Sequence, residues 1–328
     1  MRIKIFSFVL LASMISLTSA QAVELTWGGD LRVRQETRYE QGAAVDTQNR
    51  NRIRFRYGAK AEVADNLDTN FRFATSGFST NQGDPLSTNQ TYNNFAPYLI
   101  YLDQAYITYR PTMIERFKVY AGKMKNPMTT TMLMWDPDTN PDGIAFEYNL
   151  GALVFRTGQW VISNTATQPQ FNTGISAYQI GWRGDDIEIF LANYLDSKNG
   201  PSDYRDLYAS YVFLKDFKLS VNYDVENITS KTAYLAMLEW SKVKVAGDLA
   251  AKLGYGHYDV GFSPFYRDSD FRDNNFRAAN NFATEGIIAG ASYGLEDNIE
   301  VGFTYMNKKT VVDQNPQSNL MLDLVAKF

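Results

Sequence analysis

The sequence predicts an all-β protein, a transmembrane antiparallel up-and-down β-barrel of about 16 strands. Three observations lead to this prediction. Apolar and polar residues alternate in segments of about ten residues, short turns and long polar loops follow one another along the chain, and proline is absent from the alternating segments.

The alternation is clearest in the stretch RNRIRFRYGAK, residues 50–60, where Arg or Lys holds most even positions and apolar side chains hold the odd ones. Successive side chains of a strand point to opposite faces, so one face is apolar and the other is positively charged. Three arginines facing the bilayer midplane would cost roughly 6–12 kcal/mol. Because guanidinium groups stay hydrated in a water-filled lumen, we expect the arginines to face inward.

The same pattern predicts sixteen strands. They lie near 24–40, 50–64, 67–77, 99–110, 116–124, 143–149, 152–163, 174–183, 187–195, 204–213, 217–225, 232–241, 246–258, 285–294, 299–308 and 319–328. Fourteen is the alternative count, because the turn near Leu150-Gly151 is weakly marked within 143–163 and the strands are weakly marked within 232–258. An even count places both termini at the same rim, as a barrel with periplasmic termini requires.

Proline placement supports these strand bounds. Proline cannot donate a hydrogen bond to a neighbouring strand, and all ten prolines fall outside the predicted strands. Alternation alone also permits a soluble β-sandwich. The amino-terminal signal pattern, the carboxy-terminal Phe328, the alternation of short turns with long loops and the placement of proline together favour the membrane barrel.

Residues 1–22 have the organisation of a secretory signal peptide. A basic start with Arg2 and Lys4 precedes a mostly apolar run, and Ala20-Gln21-Ala22 forms a cleavage pattern. The sequence therefore predicts export through the Sec pathway and a single barrel domain over 23–328.

Composition excludes several function classes. The predicted mature chain holds 30 basic and 36 acidic residues, a formal net charge of −6, which argues against nucleic acid as a partner. The chain has no cysteine, so disulfides, cysteine nucleophiles and cysteine metal sites are excluded.

Seven cations occupy even positions of the first three predicted strands, and hairpin pairing should bring them together on one pore wall. They are Arg32, Arg34, Arg52, Arg54, Arg56, Lys60 and Arg72. Guanidinium groups stay charged at any working pH, so such a wall would carry a permanent positive field. The alternative is a solvated strand face with no role in selectivity.

A long loop near 125–142 carries the acidic residues that could face this wall. They are Asp136, Asp138 and Asp142, with Glu147 at the start of the next strand. Opposed charges of this kind would create a transverse field across a pore constriction. The spacing Asp136-x-Asp138-x-Asn140 also resembles a calcium loop, but Pro141 stands where such a loop needs Gly, so no metal is predicted.

An outer-membrane hydrolase is the alternative from another class. The only histidine, His257, has no nearby Ser, and the chain has no Walker-type loop or dinucleotide fingerprint. A carboxylate-pair glycosidase is an open alternative, because acidic residues are numerous. We therefore predict no enzyme, no catalytic residue and no cofactor.

Several motifs of the first half resemble the bacterial Putative porin family of outer-membrane β-barrels. They are RNRIRFRYGAKAEV, ADNLDTNFRFATSG, PLSTNQT at 85–91, LDQAYITYRP at 102–111, GKMKNPM at 122–128 and WDPDTNPDGIAF at 135–146. The carboxy-terminal Phe328 similarly resembles the assembly signal of outer-membrane barrels, which implies the barrel-assembly machinery as a partner.

The resemblance implies an outer-membrane pore that lets small hydrophilic solutes and ions diffuse passively. It further implies contact with outer-membrane lipids, a homotrimer, and a third loop that narrows the lumen. A channel selective for anions or sugars is the alternative within transport.

Overall fold

The computed structural model describes residues 23–40, 46–75, 90–91, 98–161, 174–196, 202–259, 262, 284–310 and 316–328. The predicted signal peptide, 1–22, lies outside these residues, as do parts of the predicted long loops.

Seventeen strands form one antiparallel sheet in the described residues. They are β1 (Leu25–Glu40), β2 (Asp46–Ala64), β3 (Leu67–Thr75), β4 (Gln90–Thr91), β5 (Ile100–Tyr109), β6 (Phe117–Lys123), β7 (Asp142–Leu150), β8 (Leu153–Val161), β9 (Gly174–Arg183), β10 (Ile187–Asp196), β11 (Ser202–Phe213), β12 (Phe217–Glu226), β13 (Lys231–Trp240), β14 (Leu249–Tyr258), β15 (Thr284–Glu296), β16 (Ile299–Thr310) and β17 (Pro316–Lys327). Among the residues described, no helix has the length and apolar character needed to cross a membrane.

The sixteen long strands close into a barrel, which confirms the predicted fold. Each pairs with its neighbour in the chain, except that β3 pairs with β5, and β17 returns to pair with β1. The two-residue β4 was not predicted; it lies between the predicted strands 67–77 and 99–110 and pairs with Arg52 and Ile53 of β2. Pro316 begins β17 rather than preceding it, at the first position of a strand, where proline is tolerated.

The two faces of the sheet have opposite polarity. On β1, the outward Leu31 and Val33 are 36% and 37% exposed, whereas the inward Arg34 and Glu36 are 6% and 0% exposed. Large apolar side chains therefore cover the outside of the barrel, and charged side chains are enclosed within it. This arrangement is expected because a charged side chain that faces lipid costs free energy. Aromatic rings such as Phe213 and Phe217, stacked at 5.6 Å, cluster at the rim of short turns.

The chain end seals the contact between β1 and β17. Gly29 N donates to Phe328 O at 2.8 Å, and Phe328 N donates to Gly29 O at 3.2 Å. The Phe328 ring packs outside against Phe55 and Tyr57, with ring centroids 6.3 and 5.9 Å apart. A Cβ at Gly29 would lie 2.2 Å from Arg56 O and 2.9 Å from the Phe328 ring, so this close approach requires glycine.

Candidate functional site

The loop between β6 and β7, residues 124–141, is called the inner loop from here on. At Gly122, just before it, φ is 119° and a Cβ would lie 2.3 Å from Ala105 O, so only glycine fits this bend. Met124 N donates to Pro141 O at 2.9 Å, and Lys123 pairs with Asp142 at 3.2 Å. These contacts hold both ends of the inner loop together at the mouth of the β6–β7 hairpin.

The inner loop is organised by its own hydrogen bonds. Trp135 N donates to Thr131 O at 3.1 Å, and Thr139 N donates to Asp136 O at 3.0 Å, which defines two consecutive turns. Asp136 Oδ1 accepts from Asp138 N at 2.8 Å, and the Trp135 indole donates to Thr139 O at 2.9 Å. The indole therefore joins the two turns into one compact unit.

Apolar side chains of the inner loop pack against the inward face of the barrel. Met134 and Trp135 are 0% and 3% exposed, and the Trp135 ring lies 5.3 Å from that of Trp160 on β8. The cluster extends over inward residues of β9 to β17 and includes Ile175, Ala177, Ala192, Tyr194, Tyr204, Ala233, Leu235, Met237, Tyr258, Ile288, Met306 and Met321. Burial of this surface is the main force that holds the loop inside the barrel.

Polar contacts fix the same loop to β9 and β12. Gln179 on β9 accepts from Thr129 N at 3.0 Å and donates to Thr129 O at 2.8 Å, so one side chain satisfies both backbone groups. The Thr131 hydroxyl bonds to Asn222 on β12. The Asn222 amide in turn donates to Asp206 and Asp224 at 2.8 and 3.1 Å.

The far end of the inner loop reaches the opposite wall. Asp138 lies 3.4 Å from Arg54 and 3.5 Å from Arg56, both on β2. Asn140 donates to Asp103 on β5 at 2.7 Å. Because its contacts run from β12 to β2, the inner loop crosses the interior of the barrel.

A cavity of about 720 Å³ lies on the side of the interior that the inner loop leaves uncovered. Five residues of the predicted basic wall line it: Arg32, Arg34, Arg54, Arg56 and Arg72. Lys252 and Lys327 add two cations, against the three carboxylates of Asp30, Glu300 and Asp323. The charged groups of the lining sum to +4, and to +2 when Asp103 and Asp138, which pair with arginines of the lining, are counted with them.

Carboxylates position these arginines. Arg34 pairs with Asp323 at 2.7 Å, and Arg72 pairs with Asp103 at 2.5 Å. Asp30 is shared, at 3.0 Å from Arg54 and 2.7 Å from Arg56. Shared partners keep the guanidinium groups in place while leaving the cluster with excess positive charge.

The other two residues of the predicted wall lie outside this cavity lining. Arg52 belongs to a cluster around Glu36, whose carboxylate also binds Arg38 and Arg50 at 2.5 and 3.1 Å. Lys60 pairs with Glu62 at 2.9 Å and with Asp68 at 3.4 Å. The predicted wall of seven is therefore divided among three groups of contacts.

The acidic residues predicted to oppose the wall also separate. Asp138 contacts two of the arginines, and Asp136 shapes the turn beside it. Asp142 is the first residue of β7, points outward and pairs with Lys123, while Glu147 binds Arg156 on β8 at 2.8 Å. Asp142 and Glu147 therefore do not face the arginines of the predicted wall, because strand alternation turns Asp142 outward and Arg156 on the neighbouring β8 binds Glu147.

Sequence reasoning missed the carboxylates that organise the wall, Asp30, Glu36, Asp103 and Asp323. Asp30 and Glu36 share the even phase of Arg32 and Arg34 on β1, so the alternation could have placed them inward. Asp323 required knowledge of the pairing between β1 and β17. In the part of the chain described by the structure, no group of three or more His, Asp or Glu is placed to hold a metal ion.

Comparisons with known proteins give a family match and a fold match. Residues 15–181, slightly more than half of the chain, match the family described as Putative porin. No curated protein matches the chain.

The barrel is similar to solved porin structures. For OmpF of Salmonella typhi the TM-score is 0.60 at 10% identity, covering 93% of this chain and 98% of that one. For OprB of Pseudomonas putida the TM-score is 0.63 at 11% identity, covering 92% of this chain and 94% of that one. For a porin variant of Rhodopseudomonas blastica the TM-score is 0.58 at 12% identity, covering 93% of this chain and 100% of that one. At such identities the similarity concerns the fold alone.

Proposed function

Because this chain belongs to the Putative porin family, as the match over residues 15–181 shows, we propose that its barrel passes small hydrophilic solutes passively and prefers anions. That it is an outer-membrane porin follows from the family and the closed barrel.

The observation that carries the anion preference is the excess positive charge of the cavity lining, which is +2 even when the paired Asp103 and Asp138 are included. Arginine charges persist at any working pH, and low-dielectric walls focus their field on the water between them. An anion gains attraction along this path, whereas a cation is repelled. Neutral polar solutes keep their hydration and pass by size.

The inner loop would act as the constriction. Its apolar side chains fill the interior beside β8 to β13, so that water and solute are confined to the cavity, whose lining comes from β1, β2, β3 and β14 to β17. Asp138 stands opposite Arg54 and Arg56 across this path. Such a pair of opposed charges orients dipolar solutes and disfavours apolar ones that would have to shed water.

Orientation, export and assembly follow from this function. The Sec pathway would deliver the chain, the assembly machinery would recognise the strand ending in Phe328, and both termini would lie in the periplasm. The short-turn rim then faces the periplasm and the long-loop rim faces outward. Outer-membrane lipids would surround the barrel, and a homotrimer is the assembly that the porin fold suggests.

Planar-bilayer recording tests the proposal. Wild-type channels in a KCl gradient should show a reversal potential of the sign that chloride preference gives. The Arg54→Ala, Arg56→Ala double variant should move it towards the cation side. Asp138→Asn should strengthen anion preference, and Asp142→Asn is its matched control, because that carboxylate faces outward. Cation preference in the wild type, or equal shifts for Asp138→Asn and Asp142→Asn, would overturn the proposal.

A solute-selective channel is the second candidate, favoured by the cluster of five arginines around one cavity of about 720 Å³. That volume lies in the range of small-molecule sites. Saturable block of the current by one polyanionic solute, weakened by salt and by Arg32→Ala, would support selectivity over general diffusion.

The family and the fold favour a channel over an enzyme. His257 stacks on Tyr234 at 5.1 Å and lies 3.1 Å from Asp259, near the rim of β14. His257 therefore lies where residues of the barrel rim lie. The protein prepared for bilayer recording should show no hydrolysis of lipid or glycan.

A further inference from the structure

The outer surface of the barrel carries a groove of about 660 Å³ across β7 to β12. Two neighbouring rows of outward side chains form it, each following the register of the strand pairs. The first row is apolar or aromatic throughout, from Tyr148 on β7 to Tyr223 on β12. The second row is interrupted by Thr157, Asn193 and Arg205, which make a trough between larger side chains.

The groove rises from the lower part of the barrel to the long-loop rim. Phe146, in the second row, lies four residues above the turn end of β7 at Leu150. Arg205 in the same row lies eight residues above the turn end of β11 at Phe213. The row therefore climbs as it crosses the sheet, and Arg205 sits near its upper end.

The dimensions match one leaflet of a membrane. Five strand spacings give a row of about 24 Å, since neighbouring strands lie roughly 4.8 Å apart. With strands tilted by about 35–45°, this row climbs roughly 14–17 Å. That rise is close to half of the roughly 30 Å hydrocarbon core.

Arg205 differs from the other cations on the outward face. Lys123 pairs with Asp142 at 3.2 Å, and Lys309 pairs with Glu285 at 3.1 Å. Within the residues that the structure describes, no hydrogen bond or ion pair involves the Arg205 guanidinium. Its neighbour across the strand pair is Asn193, whose Oδ1 is buried without a hydrogen-bond partner.

We propose that this groove binds one phosphate-bearing lipid of the outer leaflet, with an acyl chain in the trough and the phosphate on Arg205. A guanidinium group forms paired hydrogen bonds with phosphate oxygens. The exposed tyrosines Tyr178, on the far side of Asn193 from Arg205, and Tyr223, diagonal to Arg205 on β12, suit the interface between head groups and acyl chains. The proposal rests on the orientation given under the proposed function, with the long-loop rim outward.

Native mass spectrometry of the detergent-solubilised, folded barrel tests it. The probe is an equimolar mixture of dioleoyl phosphatidic acid and dioleoyl phosphatidylcholine. Wild type should retain one phosphatidic acid selectively, and Arg205→Gln should weaken that retention roughly tenfold, as the loss of a charge-assisted hydrogen bond predicts. Lys309→Gln is the matched control, because it removes an outward cation at the same rim that already has a carboxylate partner.

Thr157→Trp isolates the role of the acyl chain. It fills the trough while leaving Arg205 intact, so retention should fall here as well. Equal retention by wild type and Arg205→Gln, equal binding of phosphatidylcholine, or full displacement by inorganic phosphate would overturn the proposal. A change of oligomer mass in Arg205→Gln would assign the groove to a second copy of the chain instead. Channel conductance of Arg205→Gln should equal that of wild type, so failure of lipid binding and failure of the pore function can be distinguished.

Discussion

The inner surface of the barrel has two regions of opposite character. On β1, β2 and β3 the inward side chains are arginines and their carboxylate partners, and they line a cavity. Along β8 to β15 many inward side chains are apolar; Ile175, Ala233 and Ile288 are each fully buried. The first region lines the water-filled cavity, and the second region packs against the inner loop.

This difference explains where the sequence pattern is irregular. On β13, Ala233, Leu235 and Met237 face inward into the cluster around the inner loop, while Tyr234 and Leu238 face outward. Both faces of the strand are apolar, so alternation is weakened. In a barrel strand, a loss of alternation therefore marks contact with protein inside the lumen, and a strict alternation with charged residues marks contact with water.

Removing the inner loop should have the largest effect. Replacing 128–138 with a short Gly-Ser linker should raise single-channel conductance several-fold, because the side occupied by apolar side chains becomes open to water. The exposed inner face of β8 to β15 should also make the barrel easier to unfold in guanidinium chloride. Unchanged conductance would contradict the view that the inner loop blocks ion flow through its side of the barrel.

Glu36→Gln should destabilise the arginine region by about 3–5 kcal/mol, because Arg38, Arg50 and Arg52 would lose a fully buried counter-charge. Guanidinium-chloride unfolding measures the effect. The control is Glu62→Gln, since Glu62 is exposed and pairs only at the surface with Lys60, which predicts a change below about 1 kcal/mol. Equal changes in the two variants would contradict the role given to Glu36.

Trp135→Phe should destabilise the loop-filled region by about 1–2 kcal/mol, because the indole hydrogen bond to Thr139 O is lost in a buried place. Open-channel current noise should increase as the two turns separate, and equilibrium unfolding gives the energy. Trp182→Phe is the matched control, because that ring is half exposed on the outward face. If Trp182→Phe has the larger effect, the inner loop is not held by this contact.

The smallest effect belongs to a turn outside both regions. The backbone N–H groups of Lys244 and Val245 donate to Asp248 and hold the pKa of its carboxyl below the ordinary value. A lowered pKa stabilises the folded turn above the ordinary value of about 4, and this contribution is lost as the pH falls through the folded pKa. The hydrogen-exchange rate of the Lys244 and Val245 amides, divided by the intrinsic rate at the same pH, should therefore rise as the pH falls. In Asp248→Asn the same comparison should show no pH dependence.

Most of the fold was predictable because polarity alternates with period two and proline marks the breaks. The sixteen long strands agree with prediction to within a few residues, even though β13 and its neighbours follow the pattern poorly. The two-residue β4 gives too short a pattern to detect. Its partner on β2, near Arg52, lies beyond the upper end of β3, a fact that only the tertiary structure supplies.

The site was only partly predictable. Strand phase placed Arg54 and Arg56 inward, but which acid meets which arginine depends on the path of the inner loop through space. The apolar run Met132-Leu133-Met134-Trp135 within a polar loop was the available signal that this loop is buried. Charge alone could not separate Asp138, which reaches the arginines, from Asp142, which faces outward.

The ion pair between Arg34 and Asp323 joins residues 289 positions apart. Contacts of such large sequence separation form late, because nearly the whole polypeptide must be confined before they yield any stabilisation. Until that moment both margins of the incomplete sheet present unpaired N–H and C=O groups that can recruit a foreign strand. The final step of barrel formation should therefore be the slow one, and it is the stage at which a catalyst of folding, or an aggregating neighbour, can act.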